Sequence, residues 1–459
     1  MGGGAQAAVS GHVDDAIVLV GGYTHVDLLA HTPAPSRSDA ARGVHVLHVS
    51  GADGRITHLS TNAVGPNVAF ITRSPVNPQL LYASTERIDD EGEIITLRLT
   101  PDFRLVEQSR VKAGGRSTCY LNFSATREWM MAVSYWDAKI STLRLDKLNG
   151  LPDSPRSILM QPGASYVDDS KPTREEHWKY RQRWPHSHCC VTEPYHGRVH
   201  FVVDLGLDRV FAYRVDSREG TLVPKGSVQL PRGKGPRHLL FHPTLRRAYL
   251  VNELDSTVSV FEVRLPDEWT REEARGAAEA REWSCEDAGS ALRLTQCLSS
   301  LPESERGKQC ISPEGIWKAA SHSSEIRLHP GGRHIVVGNR GDDSVAVFEV
   351  PLDGGEVTLA NITPSGGKCP RNFNWTGNGR FLVVGNQNSD SLCVFAFDAE
   401  SGALTPAHVA EGVASPNYVY PIPCRHVAAL VSEEEEPRVL GEGAEEPAVM
   451  AEGAARAIA

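Results

Sequence analysis

Apolar residues in this chain come in short runs, not at helical spacing. A recurring phrase begins with a strand-like segment, passes through a Pro- or Gly-containing turn, and enters a second run rich in Val, Ile, Leu and Tyr that ends in a small polar residue. Residues 74–86 (SPVNPQLLYASTE), 242–253 (HPTLRRAYLVNE), 329–340 (HPGGRHIVVGNR) and 376–387 (TGNGRFLVVGNQ) carry it clearly, and residues 124–135 and 193–205 carry weaker copies. The closing polar residues are Thr85, Ser134, Asp204, Asn252, Asn339 and Asn386, spaced 49, 70, 48, 87 and 47 apart. The basic period is therefore about 48 residues with two insertions.

Each marker is followed by a third alternating segment, such as DRVFAYRVD after Asp204 or DSLCVFAFD after Asn386, and a Gly-Xaa-Leu segment such as Gly220-Thr221-Leu222 or Gly402-Ala403-Leu404 opens a fourth. Four antiparallel strands per repeat describe the blade of a β-propeller. Helix-pair solenoids of similar period need 3.6-residue spacing, which is absent. A WD40 repeat is excluded because the only Trp-Asp pair is Trp136-Asp137. IVLVGGYT and GVHVLHVS near the N-terminus lack a first strand, and VASPNYVYPIP near the C-terminus supplies one. The expected fold is all-β, a seven-bladed propeller of four-stranded antiparallel blades closed by pairing the chain ends, which removes exposed sheet edges.

Segments outside the period divide the chain further. Residues 1–15 are expected to be a disordered N-terminus, 16–431 the propeller, and 432–459 a disordered acidic tail with eight acids against two bases. Residues 26–42 and 150–184 read as loops. Residues 265–322 read as a helical rim insertion, its helix expected over residues 270–283.

Charge narrows the function. With 47 Lys+Arg against 57 Asp+Glu, the formal charge is −10, which argues against nucleic acid or an anionic membrane as partner. No apolar stretch reaches the roughly 18 residues of a membrane helix, and no basic region precedes the first apolar run. Nine irregularly spaced cysteines suit a reducing compartment. The expectation is a cytoplasmic monomer.

Candidate chemistry comes from equivalence between blades. His188, Arg237 and Arg371 each lie five residues before the turn of their repeat, with Ser324 in the same place, so all four point at the channel. Glu86, Glu253, Arg340 and Gln387 each follow a marker and form a second equivalent set. Clustered arginines need an anion or carboxylates, and a histidine such as His188 is expected to take or give a proton near neutral pH. The combination predicts an anion-binding pocket with acid/base groups. His186 and His188 beside Cys189 form an H-x-H pair too sparse for a metal site, so neither metal nor cofactor is expected. No G-x-S-x-G, phosphate loop or dinucleotide fingerprint is present.

The strings Pro185-His186-Ser187-His188, Gly235-Pro236-Arg237-His238, Val251-Asn252-Glu253, Gly338-Asn339-Arg340-Gly341-Asp342-Asp343-Ser344 and Pro370-Arg371-Asn372-Phe373 resemble the seven-bladed lactonase propellers. That family includes bacterial-type 6-phosphogluconolactonases and fungal 3-carboxy-cis,cis-muconate lactonizing enzymes. The resemblance spans residues 17–419. It implies catalytic roles for His188, Arg237, Glu253 and Arg340, and anion contact by Arg371. The P-H-S-H spacing leaves His186 or His188 open as the family's histidine, and channel equivalence favours His188. His186, Gln387 and Glu86 complete the expected substrate-binding set. The expected activity is hydrolysis of 6-phosphogluconolactone, a small anionic lactone of the pentose phosphate pathway. The alternatives are a carboxymuconate cyclase or a non-catalytic binding propeller. Cys189-Cys190, the 265–322 insertion and the acidic tail depart from the family pattern.

Overall fold

The computed structural model describes residues 14–31, 43–161, 173–271, 291–307 and 311–431. Seven antiparallel sheets of four strands surround a common axis. Blade 1 joins the inner strand Pro416–Pro423 to Ala16–Gly22, Val44–Val49 and Ile56–Asn62, with Val20 opposite Val419 and Leu19 opposite Tyr420. The expected closure is therefore formed. Blades 2 to 7 follow in order, with inner strands Val68–Arg73, Thr118–Phe123, Ser187–Thr192, Pro236–Phe241, His322–Leu328 and Pro370–Trp375.

The hydrophobic pattern explains each strand's place. Second strands such as Leu80–Thr85, Trp129–Ser134 and Phe381–Asn386 are buried at every residue, because a blade packs on both of their faces. Outer strands such as Leu105–Lys112 and Leu404–Glu411 alternate toward solvent. The core lies between blades. Tyr249, Ile335 and Phe348 join blades 5 and 6, and Val336, Phe373 and Phe395 join blades 6 and 7. The polar markers are buried and tie their own blades together: Asn252 donates to Thr257 and Ser259, and Asp204 accepts from Ser187 and the His186 N–H.

Several boundaries change. Asp15 belongs to the fold, accepting the Gly51 N–H at 2.8 Å and pairing with His48, and the rest of the expected disordered N-terminus lies almost wholly outside the described residues. Pro152–Met160 is the outer strand of blade 3, not part of a loop. Within the expected rim insertion, Leu292–Ser299 is the outer strand of blade 5, paired along Thr257–Val263. Among the described residues the helical content there is limited to a short α-helix, Asp267–Thr270, and a single 3-10 turn, Glu303–Glu305. Most of the helix expected over 270–283, and the whole tail 432–459, lie outside the described residues. Among the described residues no helix is long and apolar enough to cross a membrane.

Candidate active site

Every inner strand breaks register with its neighbour near its start, at Asn417, Ala69, Cys119, His188, Arg237, Ser324 and Arg371 in blades 1 to 7. A bulge adds a residue to one strand, bends it and re-aims the side chain. Two residues upstream, Ser415, Asn67, Ser117, Gly235 and Cys369 adopt φ of 42° to 61°. Four of these are not glycine, a strain that favours functional sites. Gly235 has no alternative, since a Cβ there would lie 2.2 Å from Leu254 Cγ. Each of the five offers its carbonyl to a residue at the end of the second strand: Tyr23, Glu86, Tyr135, Glu253 and Gln387 donate their N–H groups at 2.7–3.1 Å. One motif thus fixes two channel-facing side chains per blade.

These groups surround a cavity of about 180 Å³. It is smaller than the roughly 300–1,000 Å³ of pockets for drug-sized ligands and suits a compact polar molecule. His188, Glu253, Arg340, Arg371, Glu86 and Gln387 all line it. Two expected members do not. Arg237 lies behind the wall with its Nε 3.1 Å from Glu253 Oε2, and its Nη1 donates to the Ser324 carbonyl at 2.5 Å. His186 is fully buried, stacked on Tyr135 at 4.8 Å, with Nδ1 3.2 Å from the Tyr135 carbonyl. The bulge at His188 accounts for this, because an added residue breaks the strict alternation that would place both histidines on one face.

Glu253 is the centre of charge. Its Oε1 accepts from Arg181 Nη2 at 2.7 Å, and Oε2 lies 3.1 Å from both Arg237 Nε and Arg340 Nη2. Burial opposes ionisation, but Arg340, Arg181 and Arg237 together hold this carboxyl well below the usual range. Burial pulls Arg340 down to about 10, where it remains a cation at neutral pH. On another wall, Arg371 lies 5.0 Å over the Tyr23 ring, and the Tyr23 hydroxyl donates to Glu86 Oε2 at 3.3 Å. Burial raises the Glu86 carboxyl despite Arg371 nearby. The cavity therefore holds two carboxyl groups whose environments push them apart, Glu253 held ionised by guanidiniums and Glu86 drawn toward its neutral acid form.

Arg181, absent from the expected set, comes from the segment before blade 4. Helix Arg174–Lys179 there opens with a capping box in which the Thr173 hydroxyl accepts the Glu176 N–H. Trp178 and Trp317 flank the Arg181 guanidinium at 5.0 and 5.3 Å. It also donates to the Tyr135 hydroxyl at 3.2 Å. Trp178 and His177 from the same helix line the cavity, with His31, His322, Cys119 and Cys369. Extending the equivalence to every blade finds Tyr23, Tyr135 and Cys119. No periodic signal finds Arg181 or His177, because their segment stands outside the repeat. Among the described residues, no group of three or more His, Cys, Asp and Glu is placed to hold a metal ion.

Buried histidines predict a pH dependence of stability. His177, His186, His188, His200 and His238 are buried, and burial depresses all five, His186 to about 3 and both His200 and His238 to about 4. Each is neutral when folded and gains a proton on unfolding below its unfolded value of about 6.5. Stability is therefore complete above about pH 6.5 and falls as pH drops toward the folded values, by roughly 1.4 kcal/mol per unit for each histidine. Asp204, raised by burial to about 6, has the opposite sign and stabilises as pH falls through 6; Glu86, also raised by burial, has the same sign as Asp204. The histidines outnumber these carboxyls. Urea unfolding is expected to show a markedly lower midpoint at pH 5 than at pH 7.5. Equal midpoints would show that the histidines are not held neutral.

Comparison with known proteins agrees with this architecture. Over 298 residues the chain is 27% identical to the 6-phosphogluconolactonase of Bacillus subtilis, covering 65% of this chain and 71% of that one. The solved structure of a periplasmic gluconolactonase from Pseudomonas aeruginosa is 26% identical and superposes with a TM-score of 0.67, covering 89% of this chain and 99% of that one. A Lactobacillus plantarum protein shares the fold at 22% identity with a TM-score of 0.69, covering 89% and 99% of the two chains. A family profile described as "Lactonase, 7-bladed beta-propeller" matches residues 17–421, and the chain belongs to that family.

Proposed function

We propose that this protein hydrolyses the ring ester of a sugar lactone, with 6-phosphogluconolactone as substrate. The observation that carries this reading is the meeting of His188, Arg340, Arg371 and Glu86 from four blades in one small cavity. Ester hydrolysis needs a base for water, a cation where the carbonyl oxygen becomes an oxyanion, and a proton donor for the leaving alkoxide.

His188 serves as the base. Its Nδ1 faces His238 at 3.2 Å, which leaves Nε2 to take a proton from the attacking water. Arg340 and Arg371 stabilise the tetrahedral oxyanion and hold the phosphate. Collapse expels the ring oxygen, which takes its proton from protonated His188 or from Glu86. Glu253 is a poor base, because its oxygens are engaged by three guanidiniums, and it serves to aim Arg340. The Bacillus relative supports the phosphorylated substrate, and the Pseudomonas neighbour supports lactone chemistry in this fold. The described cysteines are free thiols, in support of work in a reducing compartment.

The test is a paired assay of the purified chain on 6-phosphogluconolactone, gluconolactone and a carboxymuconate lactone, each corrected for spontaneous ring opening. The phosphorylated lactone is expected to show kcat/KM at least about tenfold above gluconolactone, the worth of one charge-assisted contact. Arg371→Met is expected to remove most of that preference. Turnover of the muconate alone points to the cyclase, and acceleration of none of the three overturns the reading.

A further inference from the structure

Behind His188 lies a buried chain of groups of which the lactonase reading uses only the His188–His238 contact. His188 Nδ1 lies 3.2 Å from His238 Nε2, and His238 Nδ1 lies 2.8 Å from Glu325 Oε1. Glu325 is anchored in turn, its Oε2 accepting from Asn372 Nδ2 at 2.5 Å and Arg327 Nη2 at 3.3 Å, while Oε1 also accepts the Ile326 N–H at 3.0 Å. Neither His238 nor Glu325 lines the lactone cavity. Both line a second cavity of about 490 Å³, built from the opposite ends of the inner strands.

The shortest contacts in this chain point to one ordering. Glu325 is a carboxylate and only accepts, since Arg327 and His238 hold it down to about 2 against the effect of burial. His238 must then carry its proton on Nδ1. Burial and the Arg237 guanidinium, whose Nη1 lies 3.3 Å from both ring nitrogens, oppose a second proton on that ring. A neutral His238 presents a lone pair at Nε2; His188 Nδ1 is the nearer group to it at 3.2 Å, with the Arg237 Nη1 donor at 3.3 Å, and a proton on His188 Nδ1 avoids two lone pairs facing each other. Cys119 Sγ is a more distant neighbour of that nitrogen, at 3.9 Å.

We propose that Glu325 and His238 are a positioning pair that fixes His188 in the Nδ1-protonated form, so that Nε2 faces the lactone with a free lone pair. When His188 takes the proton of water, the Glu325 charge stabilises the imidazolium through His238. No proton moves onto Glu325. This inference rests on the lactonase reading for its kinetic consequence, while the tautomer itself does not.

Two measurements test it. In wild-type protein labelled at histidine nitrogen, long-range nitrogen–proton correlation spectra, with His188 assigned by loss of its signals in His188→Asn, are expected to show protonated Nδ1 and unprotonated Nε2. The opposite tautomer overturns the proposal, whatever the protein hydrolyses. On a lactone the wild type turns over, Glu325→Gln is expected to lower kcat at least about tenfold with KM little changed. The acid limb of its pH–rate profile should move to lower pH, because the imidazolium loses its counter-charge. Other charged or titratable groups facing the two rings are Cys119, Tyr120, Tyr135, Arg237, Glu253, Arg327 and Arg371, all retained in the variant. Glu325→Asp, which keeps the charge, should stay closer to wild type than the glutamine. A folded Glu325→Gln protein with unchanged kcat and an unmoved limb also overturns the pair. If Glu325→Gln fails to fold, the tautomer measurement decides. If the wild type accelerates no lactone, the lactonase reading fails and the spectra still decide the tautomer.

Discussion

Glu253→Gln is expected to lower kcat/KM by about a hundred- to a thousandfold and to destabilise the fold by about 3–5 kcal/mol. Arg181, Arg237 and Arg340 converge on this carboxylate from the turn that follows the helix before blade 4 and from blades 5 and 6, and all four side chains are nearly excluded from water. Glutamine keeps the shape but removes the carboxylate charge that pairs directly with three buried cations. It can accept at one position and must turn an N–H toward a guanidinium at the other. The arginines then repel one another, and Arg340 loses the partner that aims it into the cavity. Thermal unfolding and lactone turnover on the same sample check both effects. Adding Arg181→Met should recover part of the stability, because one uncompensated cation is gone. If the single variant keeps wild-type stability and activity, Glu253 does not organise the arginines.

His188→Asn is expected to lower kcat by about 10²- to 10⁴-fold with KM within a few-fold of wild type. The asparagine amide can occupy the place of ring Nδ1 and still donate toward His238. Nothing then stands where Nε2 was. Arg340 and Arg371 remain to bind the substrate, so the loss falls on proton transfer. The acid limb of the pH–rate profile, displaced below the ordinary histidine range by the burial of His188, should disappear with the titrating group, which profiles carried from neutral pH down to the acid limit of the folded protein would show. A fall in kcat/KM carried entirely by KM would instead assign His188 to binding.

Much of the site was legible because the repeat makes distant residues equivalent. Counting five residues back from each turn located His188, Arg237 and Arg371, and the residue after each marker located Glu86, Glu253, Arg340 and Gln387. The same rule read through the weaker copies leads to Tyr135 and Cys119, which also line the cavity. The rule cannot tell wall from backing. Arg237 shares its register position with Arg371, yet it turns toward Glu253 and leaves the cavity surface. Period-two alternation also misled at the bulges. It would put His238 on the face opposite Arg237, and it put His186 beside His188. The added residue at each strand start cancels that inference.

The sequence by itself determined the seven-blade ring, its closure through the chain ends and most of the channel-facing positions. The physical reason is that strand pattern and turn chemistry are local, and rotation about one axis converts a local repeat into spatial convergence. Tertiary structure alone decided that Arg181 reaches Glu253, that His188 faces the cavity while His186 backs Tyr135, and that Glu325 and His238 stand behind His188. Those contacts join segments with no shared period, or follow bulges that reset the alternation. They depend on how blades lean on one another, which no single stretch of chain encodes.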